Sequence, residues 1–404
     1  MCAVDVYMRM CAVDAYMRRV DSREGEAPFL PYGRHLVDSA DIAALVEVLQ
    51  SDWLTTGPRV VEFESAVAAF VGARHGVAVS SGTAALHAAM HALGVGPGDE
   101  VIVPAITFVA TANAVVFQGG TPVFADVDAD TLLVDPADIK RKITAKTKAI
   151  VAVDYAGQPC DYDALRGIAD QYGLALVADA CHALGGIYKG RMVGSLADLT
   201  VFSFHPVKHI TTGEGGMVVT DDQEVAERMR RFRNHGIATD HRQREAKGTW
   251  DYEMVELGFN YRLSDLQCAL GRSQLDKLPG WLARRRQLAA LYDEVLKGID
   301  GVASLAVRAN VHHAYHLYVV RLTANHDRGE IFAAMRRQAI GVNVHYLPVY
   351  LHPYYRQRLG TGPGLCPRAE AAYERILSLP MYPGVKATDV ERVTAILRQA
   401  MAGN

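Results

Sequence analysis

Short segments that are apolar at every position, set between amphipathic ones, constrain the fold of this chain more than any other feature. Residues 149–153 (AIVAV) and 174–178 (LALVA) show no alternation of polar and apolar side chains. A strand of that kind has to be covered on both faces, which points to helices packed on either side of a parallel sheet. Further strand candidates fall at 77–80, 101–104, 121–125 and 199–204. Helix candidates lie between them at 83–93, 109–117 and 162–172, after amphipathic helices at 41–49 and 60–70. This alternation predicts the α/β class with a mostly parallel central sheet. The segment 218–220, after the Gly215-Gly216 turn, is expected to add an antiparallel strand. Beyond about residue 275 the texture changes. A long helix over 278–296 leads into strand-like segments at 314–322 and 341–346. A last helix is expected to open on a capping box of Thr388 with Glu391 and to carry Val393, Ile396, Leu397 and Met401 on one face. The expected division is an N-terminal extension over 1–30, a large domain over 31–275 and a smaller C-terminal α/β domain over 276–404.

With 404 residues, half of them hydrophobic and 22% charged, the chain can bury a full core and is not a disordered polymer. Forty-two basic against forty-five acidic side chains leave a net charge of −3, so nucleic acid and anionic membranes are not expected partners. No apolar run approaches the roughly 20 residues of a membrane-spanning helix. Six cysteines at positions 2, 11, 160, 181, 268 and 366 form no C-x-x-C pair. A disulfide framework is therefore disfavoured, and a reducing cytoplasm is the expected compartment. The histidines form no H-E-x-x-H, and no metal site is expected. The first 18 residues are a tandem repeat, MCAVDVYMR then MCAVDAYMR, in which Asp5 and Asp14 interrupt every apolar run. That is not a signal peptide pattern. It reads as a duplicated start and tells nothing of the fold.

Ligands of open α/β sheets sit beyond the carboxyl ends of the strands, and three strand ends here are polar. Ser80-Ser81-Gly82-Thr83 joins a strand to a helix; Gly82 permits close backbone approach, and the helix start suits an anion such as phosphate. The plainer alternative is an ordinary turn with a serine cap. Asp179 ends an apolar strand in VADACHALGG, where it is either a helix cap or the counter-ion of a basic group. In FSFHPVKHITTGEGG (202–216) a strand ends near Ser203 and Lys208 follows. A lysine at the edge of a buried site loses its proton more easily and can condense with an aldehyde, although most lysines are solvated surface groups. Taken together, a phosphate cradle, a carboxylate and a lysine are what pyridoxal 5'-phosphate requires. Phe108, in AITFVATANA, is a candidate to cover the ring.

The motifs LTTGP (54–58), SSGTAAL (80–86), TFVATANA (107–114), VDYAGQP (153–159), DACHALGG (179–186), FSFHPVKHITTGEGG (202–216), GFNYRLSDLQCALG (258–271) and VHYLPVY (344–350) run from near the start to near the end of the chain. In that order they resemble the sugar-nucleotide aminotransferases of the DegT/StrS family, pyridoxal-phosphate enzymes of fold type I. The resemblance implies that Lys208 carries the Schiff base to the cofactor and shuttles the proton, and that Asp179 pairs with the pyridine nitrogen. It gives His182, where many members have Gln, to the ring hydroxyl side. Phe108 is to stack on the ring, and Gly82, Thr83 and Ser203 are to bind the phosphate. Asn260 is to reach the phosphate bound by the neighbouring subunit, so the resemblance implies a homodimer with shared sites. Tyr32, Asp52, Trp53, Leu54, Thr55 and Tyr346 fall where relatives hold the nucleotide-sugar. A sugar dehydratase of the same family has His in place of the lysine, a purely regulatory relative could dispense with Lys208, Asp179 and Ser203, and a desulfurase needs a mobile cysteine; none of these suits the chain.

Several positions depart from the broad family in one direction. VDYAGQP places Asp154 and Tyr155 where VHLYGQP is commoner, DACHALGG carries His182, and His205-Pro206-Val207 precedes Lys208. With VHYLPVY, these resemble the branch serving pseudaminic acid synthesis. That implies transfer of an amino group from L-glutamate to C4 of a UDP-linked 2-acetamido-2,6-dideoxy-4-ketohexose. The rival is another UDP- or dTDP-ketosugar aminated at C3 or C4. His209 departs from that branch, which has proline there.

Overall fold

The computed structural model describes residues 28–239, 244 and 248–402. The tandem repeat, and with it most of the expected extension, lies outside the described residues.

Seven strands form the central sheet: β1 (His75–Val79), β2 (Glu100–Pro104), β3 (Thr121–Ala125), β4 (Thr147–Val153), β5 (Ala175–Asp179), and, after a small hairpin of β6 (Ile187–Tyr188) and β7 (Arg191–Met192), β8 (Leu199–Ser203) and β9 (Gly216–Thr220). Their spatial order is β1-β9-β8-β5-β4-β2-β3. Pairing is parallel throughout except at β9, which runs against both β1 and β8. The fold is thus the α/β arrangement expected, with its one antiparallel strand at the glycine turn. β4 and β5 are buried along almost their whole length, as strands without a polar face must be. Helices Gly82–Ala92, Ala110–Phe117 and Tyr162–Tyr172 occupy the crossovers. Asp161 caps the last of these through the Ala164 N–H, and Gly173 closes it in a left-handed conformation.

The C-terminal part differs from expectation in three places. The long helix spans Asp265–Leu296, 32 residues, and passes through Pro279. It starts at a capping box of Ser264 with Gln267, and Cys268, Leu275, Leu278 and Leu282 hold its first half against the sheet core. That packing offsets the hydrogen bond that proline removes, a loss on the order of 3 kcal/mol. The same helix then gives Leu288, Ala289, Tyr292 and Leu296 to a second core, so the expected boundary at 275/276 falls inside one continuous element. Segment 341–346 is not a strand; it makes a single bridge, Asn343 to Ser378. The last helix, Ala387–Ala402, does not open on Thr388 and Glu391. Thr388 is already inside it, and Asp389 accepts from the Lys386 N–H instead.

The second core covers a three-stranded antiparallel sheet, β10 (Val302–Ser304), β12 (Tyr318–Leu322) and β13 (Ile376–Leu379), while β11 (Val311–His312) joins the β6–β7 hairpin. Leu30 is buried in this second core through a parallel bridge to Ile340.

Candidate active site

Strand direction decides where the polar groups meet. β4, β5 and β8 are parallel neighbours, so Asp154, Asp179 and Ser203 emerge at the same edge. Asp179 is buried, and its Oδ2 accepts from Thr111 Oγ1 at 2.7 Å. Thr107 Oγ1 lies 2.7 Å from Thr111 Oγ1, so two hydroxyls in series fix the carboxylate. Cys181 N–H approaches Asp179 Oδ1 at 3.3 Å. Beside it, fully buried Asp154 accepts from the Cys160 N–H and from Tyr162 Oη, each at 2.8 Å. Burial raises the Asp154 carboxyl to about 7, the hydrogen bonds opposing the shift.

Lys208 reaches this edge from the loop after β8. Burial pushes its amine below its ordinary value, against the opposing pull of Cys181 and Asp179. His316 Nε2 lies 3.4 Å from its Nζ. His182 is buried, with Nε2 3.2 Å from Tyr346 Oη and its ring 4.3 Å from that of His316. Burial holds the His182 imidazole well below its ordinary value, and the Lys208 charge adds to this.

At the start of helix Gly82–Ala92, Ser81 Oγ accepts from the Ala84 N–H at 3.0 Å. The first-turn N–H groups have no partner within the helix. A Cβ on Gly82 would lie 2.9 Å from Ser203 Cβ, so the helix start and Ser203 border one space that only a glycine leaves open. A Cβ on Gly216 would lie 2.4 Å from the Ser81 carbonyl oxygen, which locks the turn against β9. Thr83 is partly exposed beside it. Phe108 is 55% exposed, a large ring left uncovered 6.1 Å from the Tyr346 ring.

The structure therefore brings together Lys208, Asp179, His182 and Tyr346, and joins Gly82 to Ser203. Tyr32 stands nearby, its ring 5.3 Å from that of His345 and its backbone carbonyl accepting from Met381. Asn260 is exposed and pairs with Asn234 in an isolated bridge. Asp52, Leu54 and Thr55 are exposed and Trp53 is half-buried; this turn bonds to the start of the long helix, with Leu54 accepting from the Asp265 N–H at 3.1 Å.

Sequence reasoning missed His316, Thr111 and Arg285. His316 lies in HHAYHLY and Arg285 in ARRRQ, contexts that read as ordinary surface. Arg285 is 1% exposed, and burial pushes its guanidinium down to about 9, so it remains a cation at neutral pH. His209 is buried and donates from Nε2 to the Ala314 carbonyl at 3.0 Å, a tie that a proline at this position could not make.

The donor set fits pyridoxal phosphate: an open glycine cradle at a helix start, a buried carboxylate held by hydroxyls, an amine shifted toward its neutral form, and an uncovered aromatic ring. Fold and chemistry together are those of the fold-type-I pyridoxal-phosphate-dependent aminotransferases. More narrowly, the chain belongs to the DegT/DnrJ/EryC1/StrS aminotransferase family, whose sequence profile matches residues 36–398. It is 42% identical over 380 residues to the spore coat polysaccharide biosynthesis protein SpsC of Bacillus subtilis, covering 93% of this chain and 98% of that one. Among solved structures it is similar to Helicobacter pylori PseC, an aminotransferase involved in pseudaminic acid biosynthesis, at 32% identity and a TM-score of 0.87, covering 93% of this chain and 100% of that one. Spr1654 from Streptococcus pneumoniae in its PLP form matches at 32% identity and a TM-score of 0.86, covering 93% and 99%. The protein is accordingly a pyridoxal-phosphate-dependent sugar aminotransferase. No helix among the described residues is long and apolar enough to cross a membrane.

Proposed function

We propose that this enzyme transfers an amino group from L-glutamate to C4 of a UDP-linked 2-acetamido-2,6-dideoxy-4-ketohexose, in the cytoplasm, as a step toward pseudaminic acid. The observation that carries the substrate is the similarity to PseC over nearly the whole of both chains. The Asp154 and His182 departures at adjacent strand ends support it. A second reading, amination of another UDP- or dTDP-ketosugar at C3 or C4, draws support from the similarity to DesI, whose structure was solved in the presence of its TDP-sugar product.

Bound pyridoxal phosphate supplies an electron sink beside the carbon that gains or loses the amino group. The chain does the rest. Lys208 Nζ takes and returns the proton. Asp179, held by Thr111, keeps the ring nitrogen protonated, since a fixed carboxylate favours the charged partner. His182 serves the ring hydroxyl side, and Phe108 offers the ring an apolar face. Gly82, Thr83 and Ser203 hold the phosphate through N–H and hydroxyl donors. Asn260 completes the phosphate site of the neighbouring subunit in a homodimer, which accords with its exposure and that of the apolar loop before it. Tyr32, Asp52, Trp53, Leu54, Thr55 and Tyr346 receive the nucleotide-sugar.

Three ketosugars test the assignment when each is offered with glutamate: the C5-epimerised UDP-4-ketosugar, its unepimerised form and a dTDP-3-ketosugar. Mass spectrometry of the aminated product should show preference for the first. Preference for the dTDP sugar would overturn the pathway and leave the aminotransferase class intact.

A further inference from the structure

Three buried imidazoles lie near Lys208, and one of them, His316, is within hydrogen-bond reach of its amine. His182, His209 and His316 each bury Nδ1 without a partner among the described residues. Each engages its other nitrogen: His182 with Tyr346 Oη, His209 with the Ala314 carbonyl, His316 with Lys208 Nζ. A carbonyl only accepts, so His209 must carry its proton on Nε2. A buried N–H with no acceptor is the rarer and costlier orphan, which favours the same tautomer in His316. Its Nε2–H then points at Lys208 Nζ. An ammonium has three N–H bonds and no lone pair, so only the neutral amine can accept there.

The surroundings agree. Burial holds His316 well below its ordinary value, with the Lys208 charge a further cause, so it does not take a second proton near neutrality. Arg285, reaching in from the long helix, donates from Nη1 to the carbonyls of Tyr315 at 3.0 Å, His316 at 3.4 Å and Met381 at 2.9 Å. It thereby pins the backbone that carries His316, and its charge opposes a cation nearby. Asp179 and Cys181, from the segment after β5, favour the ammonium, and burial outweighs them. His345 and Tyr346, from segment 341–346, are uncharged at neutral pH: burial pushes His345 down to about 3 and holds the Tyr346 hydroxyl well above its ordinary value.

We propose that His316 is a positioning residue for Lys208, donating from Nε2 to the lysine lone pair so that the amine stands neutral and aimed before cofactor or substrate arrives. The inference rests on Lys208 being the reactive amine.

The test uses the cofactor-free protein, labelled with acetic anhydride over a range of pH and read as acetylation of the Lys208 peptide by mass spectrometry. Lys140, an exposed side chain, is the internal reference. In the wild type the Lys208 midpoint should lie below that of Lys140. His316→Phe should raise the Lys208 midpoint by about one pH unit, which slows labelling at neutral pH roughly tenfold. His316→Asn, which keeps an N–H donor, should recover at least half of that shift. The idea is overturned if the wild-type midpoint matches Lys140, or if His316→Phe folds and leaves the midpoint unmoved or lower. Adding pyridoxal phosphate separates the two claims. A visible absorbance band on the wild type with an unmoved midpoint in the variant removes only the role of His316, whereas no band on the wild type removes that of Lys208.

Discussion

Around Lys208 the polar side chains are buried and bonded within one chain: Asp179 to Thr111, His182 to Tyr346, His209 to the Ala314 carbonyl. From Trp250 to Asn260 the same chain lays out apolar side chains in the open, with Trp250 at 85% exposure and Leu257 at 74%. The first region is organised by strands whose ends are forced together by the sheet. The second lies outside the sheet and is tied by backbone bonds to residues 232–238, with its aromatic and aliphatic groups left facing outward. The contrast sets a site closed by its own side chains beside an apolar surface left open, the surface on which the proposed homodimer depends.

The largest expected effect breaks the first region alone. Lys208→Ala should lower turnover by several orders of magnitude, because the amine and the proton carrier vanish together. Its melting temperature should fall by a few degrees at most, since the side chain adds little core area and the bond lost is the one to His316. Steady-state kinetics and thermal unfolding check both halves; turnover near wild type would refute the lysine's role.

A smaller effect joins the regions. Asn260→Ala should also lose most activity, yet mixing it with Lys208→Ala subunits should restore roughly a quarter of wild-type sites. In a symmetric dimer half the molecules are hybrids, and one of the two sites in each is intact. Heterodimers that form and stay inactive would place Asn260 in its own subunit's site or outside it.

The smallest effect concerns pH and touches both regions. His87, under the loop, is bonded to Tyr261 and Gln118, and burial pushes it down to about 4. His313 and His345, on the Lys208 side, are pushed down to about 3. Unfolded, all three titrate near their ordinary value, so the unfolded chain binds more protons over this interval and stability should fall as pH drops from about 6.5 toward 4. Thermal unfolding at pH steps measures the slope, and His87→Asn should flatten part of it. A melting temperature independent of pH across that interval would show these histidines to be solvated.

Much of the fold was legible because its signals are local. A segment such as AIVAV has no polar face, and residues 162–172 carry both an aspartate cap and a closing glycine. The misreadings arose where tertiary packing overrode local preference. Pro279 looks like a helix boundary, yet Leu275, Leu278 and Leu282 fix the helix on both sides of it. The alternating pattern of 341–346 suggests a strand, but only Asn343 finds a partner in β13.

The sequence by itself determined which strand ends are chemically armed, because Asp179, Ser203 and Lys208 lie within a few residues of apolar runs whose direction in a parallel sheet is set. It also determined the order of the family motifs. Only the tertiary structure decided the neighbours of those groups. His316 lies 108 residues from Lys208, and Thr111 lies 68 residues from Asp179. Contacts between segments so distant depend on how crossovers and the long helix pack against the sheet, and no local pattern encodes that. The turn at 52–55 and Asn260 follow the same rule, since packing sets the Leu54 carbonyl on the Asp265 N–H and Asn260 against Asn234, partners that lie far along the chain or across a loop.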